Sequence, residues 1–211
     1  MHTLSTIRVL QFRKCRRRAV EDCRALLVTG CFAVAWLFAA PTFLAQGVAQ
    51  TAAPTQDDVE AAYLYNFAKF VTWPSTAKAD VLNICILGKD PFGPTLDQIV
   101  AGESIDGRHL AVVRLSDEHS VQPCGILFIG ESESLHIDQD LAAVAQLPIL
   151  TVSEISGFME DGGTIQFVLQ EDRVRFEVNL NAARKSGIGL SSQLLKVATK
   201  VVGNASGEEV K

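Results

Sequence analysis

The chain has 211 residues, 19 of them basic and 24 acidic, for a net charge of −5 at pH 7. Seven of the basic residues and two of the acidic ones precede residue 50, so the remainder carries 12 basic and 22 acidic residues, a net charge of −10. A surface of that sign repels phosphate backbones and anionic lipid, which argues against nucleic acid as a partner and against adsorption to a membrane surface.

The N-terminal segment has the three parts of an export signal. Arg13, Lys14, Arg16, Arg17 and Arg18 form a basic region, an apolar stretch runs from Ala25 to Leu44 with Pro41 inside it, and Gly47-Val48-Ala49 offers a small-x-small cleavage site. The expectation is a signal peptide over residues 1–49, cut near Ala49, with the rest of the chain outside the cytoplasm. An uncleaved anchor is the rival, because a span needs about 20 apolar residues and this stretch almost supplies them. Pro41 and the cleavage site favour removal. Val28-Thr29-Gly30-Cys31 looks like a lipobox, but the apolar core continues past Cys31. No second long apolar segment follows, so no membrane span is expected after cleavage.

The remaining ~160 residues suit one domain with a full-sized core. Residues 50–56 read as a flexible leader, 57–203 as the domain and 204–211 as a polar tail. Thr55 and Asp58 are spaced as a capping box. The helix they open carries Tyr63, Phe67 and Phe70 on one face, expected to be core, and should stop at Trp73 because Pro74 follows. Val81–Leu87, His109–Leu115, Gly125–Ile129 and Pro148–Val152 read as short buried strands. Pro94–Val100 and Leu135–Leu147 read as helices between them. Thr164–Gln170 and Arg173–Leu180 alternate around a Glu171-Asp172 turn, an antiparallel hairpin with Ile165, Phe167, Leu169, Val174, Phe176, Val178 and Leu180 inward. Ser191–Val202 is expected to close the chain as a helix. The fold class is therefore α/β: a mainly parallel sheet flanked by helices on both faces, with a C-terminal hairpin and closing helix.

Cys15, Cys23 and Cys31 leave with the signal, and Cys85 and Cys124 remain. Two thiols in an oxidising compartment usually pair, and a bridge over about 40 residues stabilises by roughly 4 kcal/mol in the chain-entropy model. The alternative is two buried free thiols.

Signals for catalysis are missing, and the expectation is a protein that is not an enzyme, with no cofactor and no metal. Gly130-Glu131-Ser132-Glu133-Ser134 is not a nucleophile elbow, since its last position is not glycine. Gly187-Ile188-Gly189 is half a dinucleotide fingerprint after a helix-like stretch, and reads as a turn. His109, His119 and His136 have no metal-like spacing. Asp57-Asp58 and Glu160-Asp161 look like solvated helix or turn ends. Open α/β sheets bind ligands beyond the C-terminal ends of their strands. Those ends are the loops carrying Gly88, Asp90 and Phe92, and Gly130 and Ser132, with backbone amides free to face a small polar ligand. Arg173, Arg175, Glu177 and Asn179 share the polar face of the hairpin, a second candidate for binding a partner or ligand. Plain turn chemistry and a solvated strand face are the alternatives.

The sequence Glu60-Ala61-Ala62-Tyr63-Leu64-Tyr65-Asn66-Phe67-Ala68-Lys69-Phe70-Val71-Thr72-Trp73-Pro74 resembles the opening motif of the YfiR-like periplasmic proteins. Ile84-Cys85-Ile86-Leu87-Gly88, Cys124-Gly125-Ile126-Leu127-Phe128-Ile129-Gly130, Pro148-Ile149-Leu150-Thr151-Val152, Gly157-Phe158 with Gly162-Gly163, Arg175-Phe176-Glu177-Val178-Asn179-Leu180 and Ser191-Ser192-Gln193-Leu194-Leu195 continue it in order. The resemblance implies an α/β periplasmic regulator, tending to dimerise, that binds and restrains the periplasmic part of an inner-membrane diguanylate cyclase. Its release raises cyclic-di-GMP and promotes biofilm. A histidine kinase is the other partner class the family suggests. The family's paired cysteines match Cys85 and Cys124. A second pair found in some members is absent, with Met159 and Gln166 in that region. The competing class is a periplasmic small-molecule binding protein or enzyme using the strand-end crevice, which predicts a deep pocket with convergent polar groups.

Overall fold

In chain order the elements are α1 (Gln56–Phe70), β1 (Val71–Thr72), β2 (Val81–Leu87), α2 (Pro94–Val100), β3 (Ser104–Ile105), β4 (Arg108–Leu115), β5 (Cys124–Ile129), a 3₁₀ turn (Glu131–Glu133), α3 (Ile137–Val144), β6 (Leu150–Ser153), β7 (Ile165–Gln170), β8 (Arg173–Asn179), α4 (Leu180–Lys185), β9 (Gly189–Leu190), α5 (Ser192–Val197) and β10 (Lys200–Val202). They are taken from a computed structural model that describes residues 53–74, 79–116 and 124–203. The expected signal peptide, the start of the leader, His119 and the tail lie outside the described residues.

Eight strands form one sheet in the order β10-β8-β7-β6-β5-β2-β4-β3. The run β4-β2-β5-β6-β7 is parallel, β8 returns antiparallel to β7, and β10 lies parallel to β8. Such a sheet needs cover on both faces, because its strands are apolar on both. On one face Ile84, Ile86, Ile126, Phe128, Val152 and Phe176 pack beneath Ala61, Leu64, Phe67 and Ala68 of α1 and Leu96 of α2. On the other, Cys85, Leu87, Leu127 and Ile129 pack beneath Ile137, Leu141 and Val144 of α3, with Phe158 beside them. The expected α/β architecture and its hairpin are thus present.

Helix α1 opens on the capping box read from the sequence. The Thr55 hydroxyl accepts from the Asp58 N–H at 3.2 Å, and the Asp58 carboxylate accepts from the Thr55 N–H at 2.9 Å. Its end differs: the helix stops at Phe70, because β-branched Val71 and Thr72 are extended and pair with Leu190 and Gly189. The buried stripe also differs. It runs through Ala61, Leu64, Phe67 and Ala68, while Tyr63 and Phe70 are half-buried. Small alanines let the helix lie close on the sheet. Tyr63 sits at the rim, where a phenol can keep its polar tip wet, and stacks on Phe67 at 5.8 Å.

The C-terminus departs most from expectation. The helix ends at Val197, Ala198 is extended, and β10 joins the sheet beside β8. The Thr199 N–H and hydroxyl both donate to the Phe176 carbonyl, at 2.9 and 3.0 Å, which turns the chain from helix to strand. Elsewhere the corrections are shorter. Helix α3 starts at Ile137, leaving Leu135 90% exposed, and β6 starts at Leu150. Leu180 opens α4 instead of ending β8, and Leu169 is exposed near the hairpin turn instead of inward. Gly187 ends α4 at a φ of +68°, as a turn should, but Gly189 enters β9.

Candidate functional site

Strands β2, β5 and β6 run parallel, so their C-terminal ends emerge on one edge, and the loops singled out from the sequence meet there. Several of their amides are taken up within the loops. The Gly130 N–H donates to the Leu87 carbonyl at 2.9 Å, and the Lys89 N–H donates to the Ser132 hydroxyl at 2.9 Å. The Asp90 carboxylate accepts from the N–H groups of Phe92 and Gly93 at 2.8 and 3.3 Å. Phe92 is buried, with its ring edge-on to Phe128 at 4.7 Å. Gly88, Asp90, Phe92, Gly130 and Ser132 are thus brought together in a rim whose two loops are hydrogen-bonded to each other.

Arg114, at the end of β4, locks that rim. Its Nε donates to Asp90 at 2.7 Å and its Nη2 to Asp97 and the Gly93 carbonyl at 2.7 and 2.8 Å. The hydrogen bonds from Arg114 hold the Asp97 carboxyl below the usual carboxylate range. The sequence reading did not find Arg114, because an isolated arginine at a strand end carries no local signal.

The rim continues into acidic groups that the sequence reading also missed. Glu60, on α1, is 1% exposed. Its Oε1 accepts from the Gln56 amide at 2.9 Å, and its Oε2 has no hydrogen-bond partner among the described residues. Burial pushes its pKa up to about 7, with the charges of Glu154 and Asp57 adding to the effect. Glu154, which follows β6, is raised too, first by burial and then by Glu131 and Asp57. Asp58 behaves oppositely: hydrogen bonds from Thr55 and Thr95 lower it.

Arg175, Glu177 and Asn179 lie away from this edge, on β8. Arg175 faces Val168 across the hairpin, and Glu177 stands between Gln166 and Lys200. Asn179 has structural work: its side chain caps α4 through the N–H groups of Asn181 and Ala182, and donates to the Met159 carbonyl at 3.0 Å. A cleft of about 240 Å³ opens elsewhere, between α3 and α4, bordered by Asp138, Leu141, Thr151, Asp161 and Lys185. Among the described residues, no group of three His, Cys, Asp or Glu is placed to hold a metal, and no helix is long and apolar enough to cross a membrane.

Cys85 and Cys124 are joined, with their Cα atoms 5.7 Å apart. A β-bulge makes this possible. Asn83 pairs with Cys124 but Ile84 pairs with Ile126, so Gly125 is an extra residue on β5. The shift reverses the facing of Cys124 relative to Ile126 and puts it on the α3 side with Cys85. The Trp73 indole N–H donates to the Gly125 carbonyl at 3.2 Å and so holds the bulge.

A mostly parallel sheet, bridged by a disulfide between two central strands and with its strand-end loops hydrogen-bonded to each other, defines a disulfide-stapled α/β domain. The chain belongs to the YfiR/HmsC-like family, whose model matches residues 57–199. It is also similar to a solved structure, a conserved domain protein from Vibrio cholerae O1 biovar El Tor strain N16961, at 12% identity and a TM-score of 0.48. That match covers 69% of this chain and spans 60% of the length of the other.

Proposed function

We propose that this chain is an exported, non-enzymatic regulator that binds the periplasmic part of an inner-membrane signalling protein and restrains it. The partner is a diguanylate cyclase, so the output is cyclic-di-GMP and biofilm control, and the regulator works as a homodimer. The observation that carries this reading is the family match across residues 57–199. Two features support export: the signal-like N-terminus, and the Cys85–Cys124 bridge, since disulfides persist in oxidising compartments. The contact surface is the strand-end rim around Gly88 and Ser132, kept in shape by Asp90, Phe92 and Gly130. The polar β8 face with Arg175 and Glu177, its end held in shape by Asn179, is a second contact.

The test is a chromosomal deletion with cyclic-di-GMP measured, beside strains complemented with the full chain or with a chain lacking residues 1–49. Deletion should raise cyclic-di-GMP, and only the full chain should restore it. Restoration by the truncated form would overturn the periplasmic mode of action. An unchanged level would turn attention to a histidine kinase partner. The cleft between α3 and α4 favours one other reading, a small-molecule carrier, which calorimetry with candidate metabolites would test.

A further inference from the structure

Glu60 is placed where an ionised carboxylate is poorly tolerated. It is 1% exposed, and among the described residues one oxygen has a single neutral donor and the other has no hydrogen-bond partner. Burying a charge without a partner is costly, and the group responds by holding its proton. The charges that reach it have its own sign and come from two elements. Asp57 lies on α1 itself, and Glu154 enters from the segment after β6. Glu154 in turn feels Glu131 from the segment after β5. The ion pairs of this edge belong to Arg114 with Asp90 and Asp97, and Glu60 makes none among the described residues.

We propose that Glu60 makes the seam between α1 and the strand-end loops a proton-operated switch. With its proton on, Glu60 stays inside and the first turns of α1 lie closed against the sheet edge. With its proton off, it repels Glu154 and Asp57, draws water inward, and favours a state in which those turns lift away. Asp58 ties the closed seam, accepting from the hydroxyl of Thr55 at the cap of α1 and, at 3.1 Å, from that of Thr95 at the start of α2. The proton affinity of the closed state agrees with the geometry, since burial first and the neighbouring acids second raise the Glu60 pKa to about 7. An exported protein shares the pH of its surroundings, so neutral to mildly acidic conditions span the working range of this device. The switch is independent of the identity of any partner.

Linkage gives its signature. Once open, Glu60 regains an ordinary carboxyl pKa near 4.5, whereas the closed form holds its proton to about 7. The ratio of open to closed seam therefore rises about tenfold per pH unit between these values and levels off above them. Hydrogen–deuterium exchange of the purified protein from pH 5 to 8.5, corrected for intrinsic exchange, reads this directly. Protection of the amides of residues 58–64 should fall from pH 5 to 7 and then level, while β5 and β6 change little. Glu60→Gln, neutral throughout, should hold protection constant. Glu154→Gln should move the levelling point to lower pH, because one of the charges that raises Glu60 is gone. An α1 profile that is flat in the wild type, or identical in Glu60→Gln, overturns the proposal. Should Glu60→Gln fail to fold, Glu154→Gln decides: an unchanged levelling point overturns it.

Discussion

Phe67 is the side chain on which α1 rests. It is 1% exposed, stacks on Phe167 at 5.9 Å and meets Phe176 edge-on at 5.0 Å. Phe67→Ala should destabilise the protein by about 3–5 kcal/mol, from lost transfer energy plus the cavity left behind. Urea titration of both forms checks it, and a loss under about 1 kcal/mol would show that the ring contributes little to the core. Gly130 is critical for a different reason. A Cβ there would lie 2.7 Å from the Lys89 carbonyl oxygen, which is backbone and cannot swing aside. Gly130→Ala should therefore cost about 1–3 kcal/mol by forcing the two strand-end loops apart, visible in the same titration. Phe67 is legible from helical spacing, and Tyr63 and Phe70 do pack against the same core but stay half-buried. Periodicity tells which residues share a face, not how wide the buried stripe is, and here Ala61 and Ala68 narrow the gap to the sheet. Glu60 was not legible at all, since a glutamate in the second turn of a helix reads as solvated until tertiary packing leaves it 1% exposed, within reach of Glu154 after β6.

At the scale of elements, the longer strands were legible because they are short apolar runs bounded by turns; strand Val81–Leu87 and helix Pro94–Val100 have the bounds read for them. It failed where a tertiary contact decides. Ala198–Val202 continues a helical pattern, yet the Phe176 carbonyl captures Thr199 and makes a strand. Strand β3 was missed although Asp106-Gly107, with φ of +52° and +77°, is the standard signal of a tight hairpin turn. The Cys85–Cys124 pairing was legible from arithmetic, whereas the Gly125 bulge that turns Cys124 toward its partner was not. Because the bridge links two central strands 39 residues apart in sequence, Cys85→Ser should cost about 2–5 kcal/mol. Denaturation with and without reductant checks this: reductant should lower the wild-type midpoint and leave the variant unmoved. The α1 seam makes a pH prediction. The folded pKa of Glu60 lies above its unfolded value, so its contribution is complete below about 4.5 and is lost as pH rises to about 7. At about 1.4 kcal/mol per pH unit the loss approaches 3 kcal/mol. Glu60→Gln should thus gain on the wild type by up to that amount between pH 5 and 7, and hold the gain above. A stability difference independent of pH would show that Glu60 is not protonated in the fold.

For the whole molecule the dominant long-range quantity is charge. The segment after residue 49 carries a net charge of −10, and several of its acids, Glu131, Glu154 and Asp57, gather near the strand-end rim. A field of that sign steers a basic surface toward the rim before any contact forms, whereas apolar contacts at the centre of an interface set how long the complex lasts. Leu135 is suited to the second role, 90% exposed in the segment between the 3₁₀ turn and α3. The two contributions separate with salt, since the screening length falls from about 30 Å at 0.01 M to about 10 Å at 0.1 M. Surface plasmon resonance against the proposed partner, the periplasmic part of a membrane signalling protein, should show an association rate that falls about tenfold or more as salt rises over this range, with a dissociation rate that changes little. Leu135→Ser should do the opposite, speeding dissociation and leaving the salt dependence of association as it was. An association rate indifferent to salt would mean that the acidic rim does not face the partner, and would move the contact to the mixed-charge face of Arg175 and Glu177.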